Sequence, residues 1–291
     1  MGCITDVPGV LVGHWEDPGA RTGCTVIRFP HRNAAGVEVR GAAPASRELD
    51  LLRPGMTVRR ADAILLTGGS AFGLGAAQGV VDGLAAEGRG QPTLTGPVPI
   101  VPAVAIFDRM VGDVSAAPGP SEGRAAFEAA SVAPTADRRR GAGAGATVGK
   151  WRGGVVDAGI GTASVKAGEA TVGALVVLNA VGDVYLPDGR SLTGGDGALA
   201  PPIWAATSEM PFDTNTTLVV VATDAPGAEV DRMAVRAQDA LAVAVRPAHT
   251  RYDGDVAIAV ALGEGPQADA DLLQEAAFHA TLDAIYACLE D

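Results

Sequence analysis

Asp213-Thr-Asn-Thr-Thr-Leu-Val-Val-Val-Ala-Thr-Asp224 sets an asparagine and two hydroxyl side chains directly ahead of an unbroken apolar run, Leu218 to Ala222. A short, β-branched, uncharged segment is the pattern of a strand buried on both faces, because a strand with one wet face alternates. Thr216 therefore stands at the mouth of a core strand. Propensity alone makes it a strand-starting residue and nothing more.

A strand buried on both faces needs cover above and below, and the sequence around it supplies both kinds of layer. Downstream, Asp224 to Arg246 reads as an amphipathic helix through Val230, Met233, Ala237, Leu241 and Ala244, stopped by Pro247. An apolar strand, Val256 to Leu262, follows, and a helix from Asp269 to about Leu289 closes the chain. Upstream, "GVLVGHW" and "TGCTVIRF" flank the turn Glu16-Asp-Pro-Gly19 as a hairpin. "GVEVRG" alternates as a strand, and "SRELDLL" reads as a short helix ended by Pro54. "ADAILLTGG" is a buried strand that runs through a glycine turn into a helix over Ser70 to Leu84. "VPIVPAVAIFD" is a proline-punctuated strand, and "SEGRAAFEAASVA" is a helix with Ser121 as N-cap. The charges of Asp137-Arg-Arg-Arg-Gly141 are assigned to solvent. "TVGALVVLNAVGDVYLPDG" predicts a long strand, a turn at Gly182-Asp183 and a short return strand. Residues 191–215, rich in Gly, Pro, Ser and Thr, read as a flexible segment. Helices bracketing core strands after a strand-rich first part imply sheet layers covered by helices.

Composition bounds the function. With 291 residues, 47% hydrophobic and 19% charged, the chain supports one large packed body, residues 1–291 as a single domain. A net charge of −12 argues against nucleic acid or an anionic membrane as partner. No apolar run reaches membrane-span length, and the N-terminus lacks a basic start before an apolar core, so a cytoplasmic protein is expected. Cys3, Cys24 and Cys288 are odd in number and lack metal-ligand spacing, which points to buried or half-buried thiols rather than a disulfide or metal site.

Several residues carry candidate chemistry. Backbone amides of Gly68, Gly69 and Ser70 at a helix start suit a substrate pocket, the alternative being tight strand-to-helix packing. Ser70 lacks the glycine two places on that a nucleophile elbow needs. "GAGAGATVGK" resembles a phosphate loop, but Ala144 stands where a Walker loop needs glycine and Trp151 where it needs a hydroxyl. Its dinucleotide form lacks the helix that would follow. Lys150, alone among glycines, is either an exposed lysine or a desolvated charge. Asn179, near the end of a core strand, is either a satisfied structural amide or an oxyanion donor. Asp253 and Asp255, separated by one glycine at a strand entrance, either are the solvated acids of an Asp-Gly turn or, in extended geometry, face the same way, where their repulsion raises one pKa.

The stretch at 213–224, with "TDVPGVLVGH" at 5–14, "LTGGSAFGL" at 66–74, "GGVVDAGIGTAS" at 153–164 and "NAVGDV" at 179–184, resembles the DmpA-type family of L-aminopeptidase D-esterases and β-peptidyl aminopeptidases, which includes the 6-aminohexanoate oligomer hydrolases. The resemblance implies a four-layer α/β/β/α sandwich and self-cleavage between Asn215 and Thr216 into residues 1–215 and 216–291. It makes Thr216 an N-terminal nucleophile, puts Asn179 in the oxyanion hole and Lys150 beside the nucleophile, and gives Asp253 and Asp255 an orienting role. The Asp-Gly-Asp motif matches the Thr-nucleophile branch, where β-aminopeptidases carry Ser-Gly-Glu. No metal or organic cofactor is implied. A small peptide or amide is the expected substrate, and a homo-oligomer, a tetramer of processed pairs, the expected assembly. Acyl transfer of the ornithine acetyltransferase kind is the alternative reaction.

Overall fold

Parity along the strands decides the layering, because successive side chains of a strand point to opposite faces. The computed structural model describes residues 2–133, 137–206 and 215–290. In chain order it runs β1 (Leu11–Asp17), β2 (Thr22–Arg28), β3 (Ala34–Val39), β4 (Ala45–Arg47), β5 (Ala63–Thr67), α1 (Ala77–Ala86), β6 (Ala103–Ala105) and α2 (Pro120–Glu128). There follow β7 (Thr147–Val148), β8 (Val156–Asp157), β9 (Ile160–Ala167), β10 (Ala170–Asn179) and β11 (Asp183–Val184). The last part is β12 (Thr216–Thr223), α3 (Val230–Ala244), β13 (Val245–Arg246), β14 (Val256–Ala261) and α4 (Ala270–Ala287). Among the described residues these form two five-stranded sheets, ordered β1-β2-β5-β6-β4 and β3-β14-β12-β10-β9, and two two-stranded ribbons.

Odd and even residues of one strand enter different cores. Leu218 and Val220 of β12, with Ile258 of β14 and Leu175 of β10, meet Ile64 and Leu66 of β5 in a core between the sheets. Val219 and Val221, with Val176 and Ala259, face the other way against Met233 and Leu241 of α3 and Ala277 and Ile285 of α4. On the first sheet, Val26 and Leu65 pack outward on Val80 and Leu84 of α1 and Phe127 of α2. The result is the expected α/β/β/α sandwich. The unbroken apolar run at 218–222 follows from it, since every second residue serves a different core.

Local departures from expectation have tertiary causes. The "SRELDLL" segment is no helix: Ala45 and Arg47 pair with Ala105 and Ala103 of β6, and a 3-10 turn at Asp50–Leu52 follows. Residues Ser70–Ala76 form a 3-10 turn before α1 begins. In α2 the helix starts at Pro120, so Ser121 lies inside it, and the Glu122 carboxylate accepts from the Gly119 N–H at 2.8 Å. The return strand after Gly182 does not pair with β10, whose two edges are taken by β9 and β12; β11 pairs with β13 instead. The arginines at 138–140 are engaged rather than merely solvated. Arg139 pairs with Asp157, Arg140 lies 2.7 Å from Glu16, and Arg138 donates to the carbonyls of Asp157 and Ala158. Of the segment 191–215, Ile203–Ala206 form a 3-10 turn, and residues 207–214 lie outside the described residues. Cys24 and Cys288 are buried and Cys3 half-buried, all as free thiols.

Candidate active site

Three strand termini meet at one end of the second sheet. β10 ends at Asn179, β12 begins at Thr216, and the antiparallel register sets these two residues opposite each other. β12 and β14 run parallel with Leu218 opposite Val256, which carries Asn215 alongside Asp253 in a single further bridge. The predicted residues are thereby brought together, and Lys150, Asn179, Thr216, Asp253 and Asp255 are each at most 3% exposed.

The bond before Thr216 is held from both sides. The Thr216 hydroxyl donates to the carbonyl oxygen of Asn215 at 2.6 Å, and the Gly254 N–H donates to the same oxygen at 2.6 Å. The Asn215 N–H in turn donates to the Tyr252 carbonyl at 2.8 Å. Two donors on one carbonyl oxygen polarise its carbon, the arrangement that stabilises charge on that oxygen during attack. Gly254 is required here for space: a Cβ would stand 2.8 Å from Thr216 Oγ1 and 2.6 Å from the Ala43 carbonyl. The hydroxyl therefore rests on the backbone between the two acids.

The orientation of Asn179 follows from its neighbours. Its Oδ1 accepts from Lys150 Nζ at 3.1 Å and from the Thr147 N–H at 3.1 Å, both of which only donate. Its Nδ2 is thereby turned to the other side, where it donates to the Phe107 carbonyl at 3.1 Å. One of its two N–H bonds is spent on that carbonyl, and the second is the one suited to a developing oxyanion. Lys150 Nζ also donates to the Thr147 and Ala180 carbonyls, at 2.7 and 3.4 Å. Burial pulls its pKa down to about 7, against which the charge of Asp253 pushes upward. Lys150 is thus the desolvated lysine, not the exposed one.

The acid pair is asymmetric. Asp253 accepts from the Val181 N–H at 3.2 Å, from the Thr250 N–H at 3.1 Å and from the Thr250 hydroxyl at 2.6 Å. Asp255 accepts from the Thr217 N–H at 2.8 Å and from His249 through its backbone N–H at 3.1 Å and its ring Nδ1 at 2.9 Å. Burial, and next the charge of Asp255, push the Asp253 carboxyl up to about 7. Asp253 is thus the member whose pKa rises, and burial contributes ahead of the repulsion expected from Asp255.

The Gly68–Ser70 turn meets the site indirectly. Gly68 N–H donates to the Gly23 carbonyl, Gly69 N–H to Asp108 and Ser70 N–H to the Ile106 carbonyl, at 2.8, 2.8 and 2.9 Å. All three amides expected to face a substrate are therefore satisfied internally. The turn instead fixes the Ile106–Asp108 segment, whose Phe107 carbonyl holds Asn179. Sequence reading missed Phe107, Thr250 and His249, and took Gly254 only as the spacer between the two acids. Only Thr250 carried a local signal, since a threonine three residues before an aspartate is the spacing of a side-chain-closed turn.

The family model described as peptidase family S58 matches residues 2–291. An uncharacterized aminopeptidase of Mycobacterium leprae is 43% identical, over 90% of this chain and 79% of that one. The 6-aminohexanoate-oligomer endohydrolase of Paenarthrobacter ureafaciens is 30% identical, over 89% of this chain and 74% of that one. Among solved structures, a Burkholderia sp. β-aminopeptidase superposes with a TM-score of 0.73 at 24% identity, covering 99% of this chain and 86% of that one. The L-aminopeptidase D-Ala-esterase/amidase of Ochrobactrum anthropi, described as a variant among the Ntn hydrolase fold, gives 0.71 at 21%, covering 98% and 84%. The sandwich is the fold of these enzymes.

Proposed function

The chain belongs to peptidase family S58, and from that premise we propose that this peptide- and amide-bond hydrolase is an N-terminal threonine enzyme that first cuts its own Asn215–Thr216 bond. The observation that carries the proposal is the Thr216 hydroxyl, 2.6 Å from the carbonyl oxygen of the preceding residue while Gly254 holds that oxygen from the other side. Thr216 is 3% exposed, so in the uncut chain its nearest electrophile is its own peptide bond.

In the cleavage, the Thr216 oxygen attacks the Asn215 carbonyl carbon and gives up its proton to a neighbouring base. The C–N bond then breaks, the nitrogen leaves as an amine with a proton, and an ester remains. Water hydrolyses the ester, leaving a carboxylate on Asn215 and a free α-amino group on Thr216. With a pKa of about 8, that amine takes the hydroxyl proton in later turnovers. A substrate acyl group then passes through Thr216, with Asn179 Nδ2 toward the oxyanion, Lys150 holding that amide by its Oδ1, and the acid pair orienting the ammonium.

Hydrolysis of small unhindered amides is the resulting activity: an aminopeptidase or amidase. The relative from Paenarthrobacter ureafaciens, together with the Asp-Gly-Asp motif and Lys150, favours linear 6-aminohexanoate oligomers as a second substrate class. The test is a denaturing gel with mass spectrometry of the fragments, then incubation with aminoacyl p-nitroanilides, 6-aminohexanoate oligomers, and N-acetylornithine plus glutamate. Two fragments meeting at 215/216 and release of amine are expected. A single band, or acetyl transfer to glutamate with no amide hydrolysis, overturns the reading.

A further inference from the structure

His249 is hydrogen-bonded to Asp255 and Gln238 rather than to Thr216 or Asn179, and its ring is fixed at both nitrogens. Nδ1 lies 2.9 Å from Asp255 Oδ2 and Nε2 lies 3.3 Å from the carbonyl oxygen of Gln238. A neutral imidazole donates from one nitrogen only and presents a lone pair at the other. Here the lone pair would face a carbonyl or a carboxylate, whereas the imidazolium satisfies both. The backbone supports the same placement: His249 sits at φ 54°, a left-handed conformation that costs a side chain energy, and its own N–H also donates to Asp255 Oδ2 at 3.1 Å.

The two acids differ in what surrounds them. Each neighbour of Asp255 named above is a donor, so a proton placed there would displace a hydrogen bond. Asp253 Oδ2 instead faces the Thr250 hydroxyl, which donates to a carboxylate and accepts from a carboxylic acid. Asp253 therefore takes a proton without losing that contact. We propose that His249 is a positioning residue of the acid pair: as an imidazolium it holds the pair's charge on Asp255 and leaves Asp253 as the member that takes and gives the proton.

The groups around the ring oppose one another, and those that favour the cation prevail. Burial pulls the His249 pKa down, the hydrogen bond and charge of Asp255 together with the Gln238 carbonyl pull it up, Arg40 opposes them, and the outcome is a rise above the ordinary value. From α3 the ring meets the Gln238 carbonyl, while the neighbouring Asp239 is engaged by Arg40 and Arg236. Beyond Asp255 the next charges are Asp253 and then Lys150.

The inference rests on the catalytic reading of the acid pair, and the experiment separates the two. In the first arm, full-length Thr216→Ala protein is labelled with 15N-histidine, and the His249 signals are assigned by their loss in a further His249→Asn variant, asparagine being tolerant of the left-handed backbone. Both ring nitrogens are expected to be protonated at pH 6.5, and Asp255→Asn is expected to lower the titration midpoint by about one unit or more. A neutral ring at that pH, or a midpoint indifferent to Asp255, overturns the proposal without any turnover being needed. In the second arm, kcat/KM of processed enzyme on an aminoacyl p-nitroanilide is followed against pH. His249→Asn is expected to move the acidic limb upward by about one unit. A loss that is equal at every pH, with the limb unmoved, assigns His249 a purely structural part and overturns the proposal. If the wild-type enzyme hydrolyses no amide, the functional reading fails while the first arm still reports on His249.

Discussion

Asn179 and Thr216 face each other across β10 and β12, the last residue of one strand against the first of the next. Strand pairing thereby fixes two groups that the chain separates by a long segment, and each brings its own retinue. Asn179 carries Lys150 and Thr147, bonded to its Oδ1, while Thr216 lies on Gly254 between the two acids. Because sheet registers are stiff, the relative placement of nucleophile and amide needs no loop to hold it.

Replacing Thr216 by alanine removes the attacking oxygen while leaving a residue that a buried strand start tolerates. The variant is expected to fold and to run as one band near the full mass of 29.2 kDa, where the wild type is expected to give two. Cleavage of the variant between 215 and 216 would remove Thr216 from the role of nucleophile.

Asn179→Ala takes away the Nδ2 donor and leaves Lys150 and the Thr147 N–H without their shared acceptor. If the amide acts on the transition state, kcat falls by roughly 10²–10³-fold with little change in KM. The comparison is made on processed enzyme, and an unaltered kcat returns Asn179 to a structural part.

Gly254→Ala tests the space beneath the hydroxyl. The new methyl would meet Thr216 Oγ1 at 2.8 Å and the Ala43 carbonyl at 2.6 Å, so the hydroxyl must shift from its own carbonyl. Self-cleavage is expected to slow by roughly 10²-fold, the scale of an ångström-sized misplacement. The rate of band conversion on a gel measures it, with circular dichroism checking the fold; wild-type speed would show that the contact is dispensable.

Asp253 makes stability depend on pH in a stated direction. Its folded pKa, about 7, lies above the ordinary 3.8, so between these values the folded chain binds more protons than the unfolded one. That contribution is full below about pH 3.8 and is lost as pH rises to about 7. In the Thr216→Ala background, Asp253→Asn is therefore expected to gain Tm relative to its parent as pH is raised from 4 to 7, on top of any constant offset from lost hydrogen bonds. Melting curves across that range decide it, and a difference independent of pH would mean that Asp253 is not protonated in the fold.

Much of this was legible in the sequence. The apolar run at 218–222, the helical spacing from Val230 to Ala244 and the Asp-Gly-Asp motif each express a local period, and local periods survive in a linear text. Thr216, Asn179, Lys150, Asp253 and Asp255 were nameable because each sits at a strand end or in a glycine-rich turn, and resemblance tied them together. Other features were not legible. The "SRELDLL" segment has helical spacing but became a strand and a 3-10 turn because β6 offered an edge, and β11 found β13 because both edges of β10 were taken.

By itself, the sequence determined which residues are buried and in what rhythm, and hence sheet layers covered by helices, while the candidate reactive side chains were named through the resemblance. Tertiary structure alone decided what those side chains touch. The Phe107 carbonyl on Asn179, the Gly254 amide on Asn215, the His249 ring on Asp255 and the internal satisfaction of the Gly68–Ser70 amides leave no periodic trace. The reason is physical: burial follows from a residue's own polarity and its spacing along one element, whereas a hydrogen bond between elements exists only once their registers are set, and those depend on the packing of the whole core.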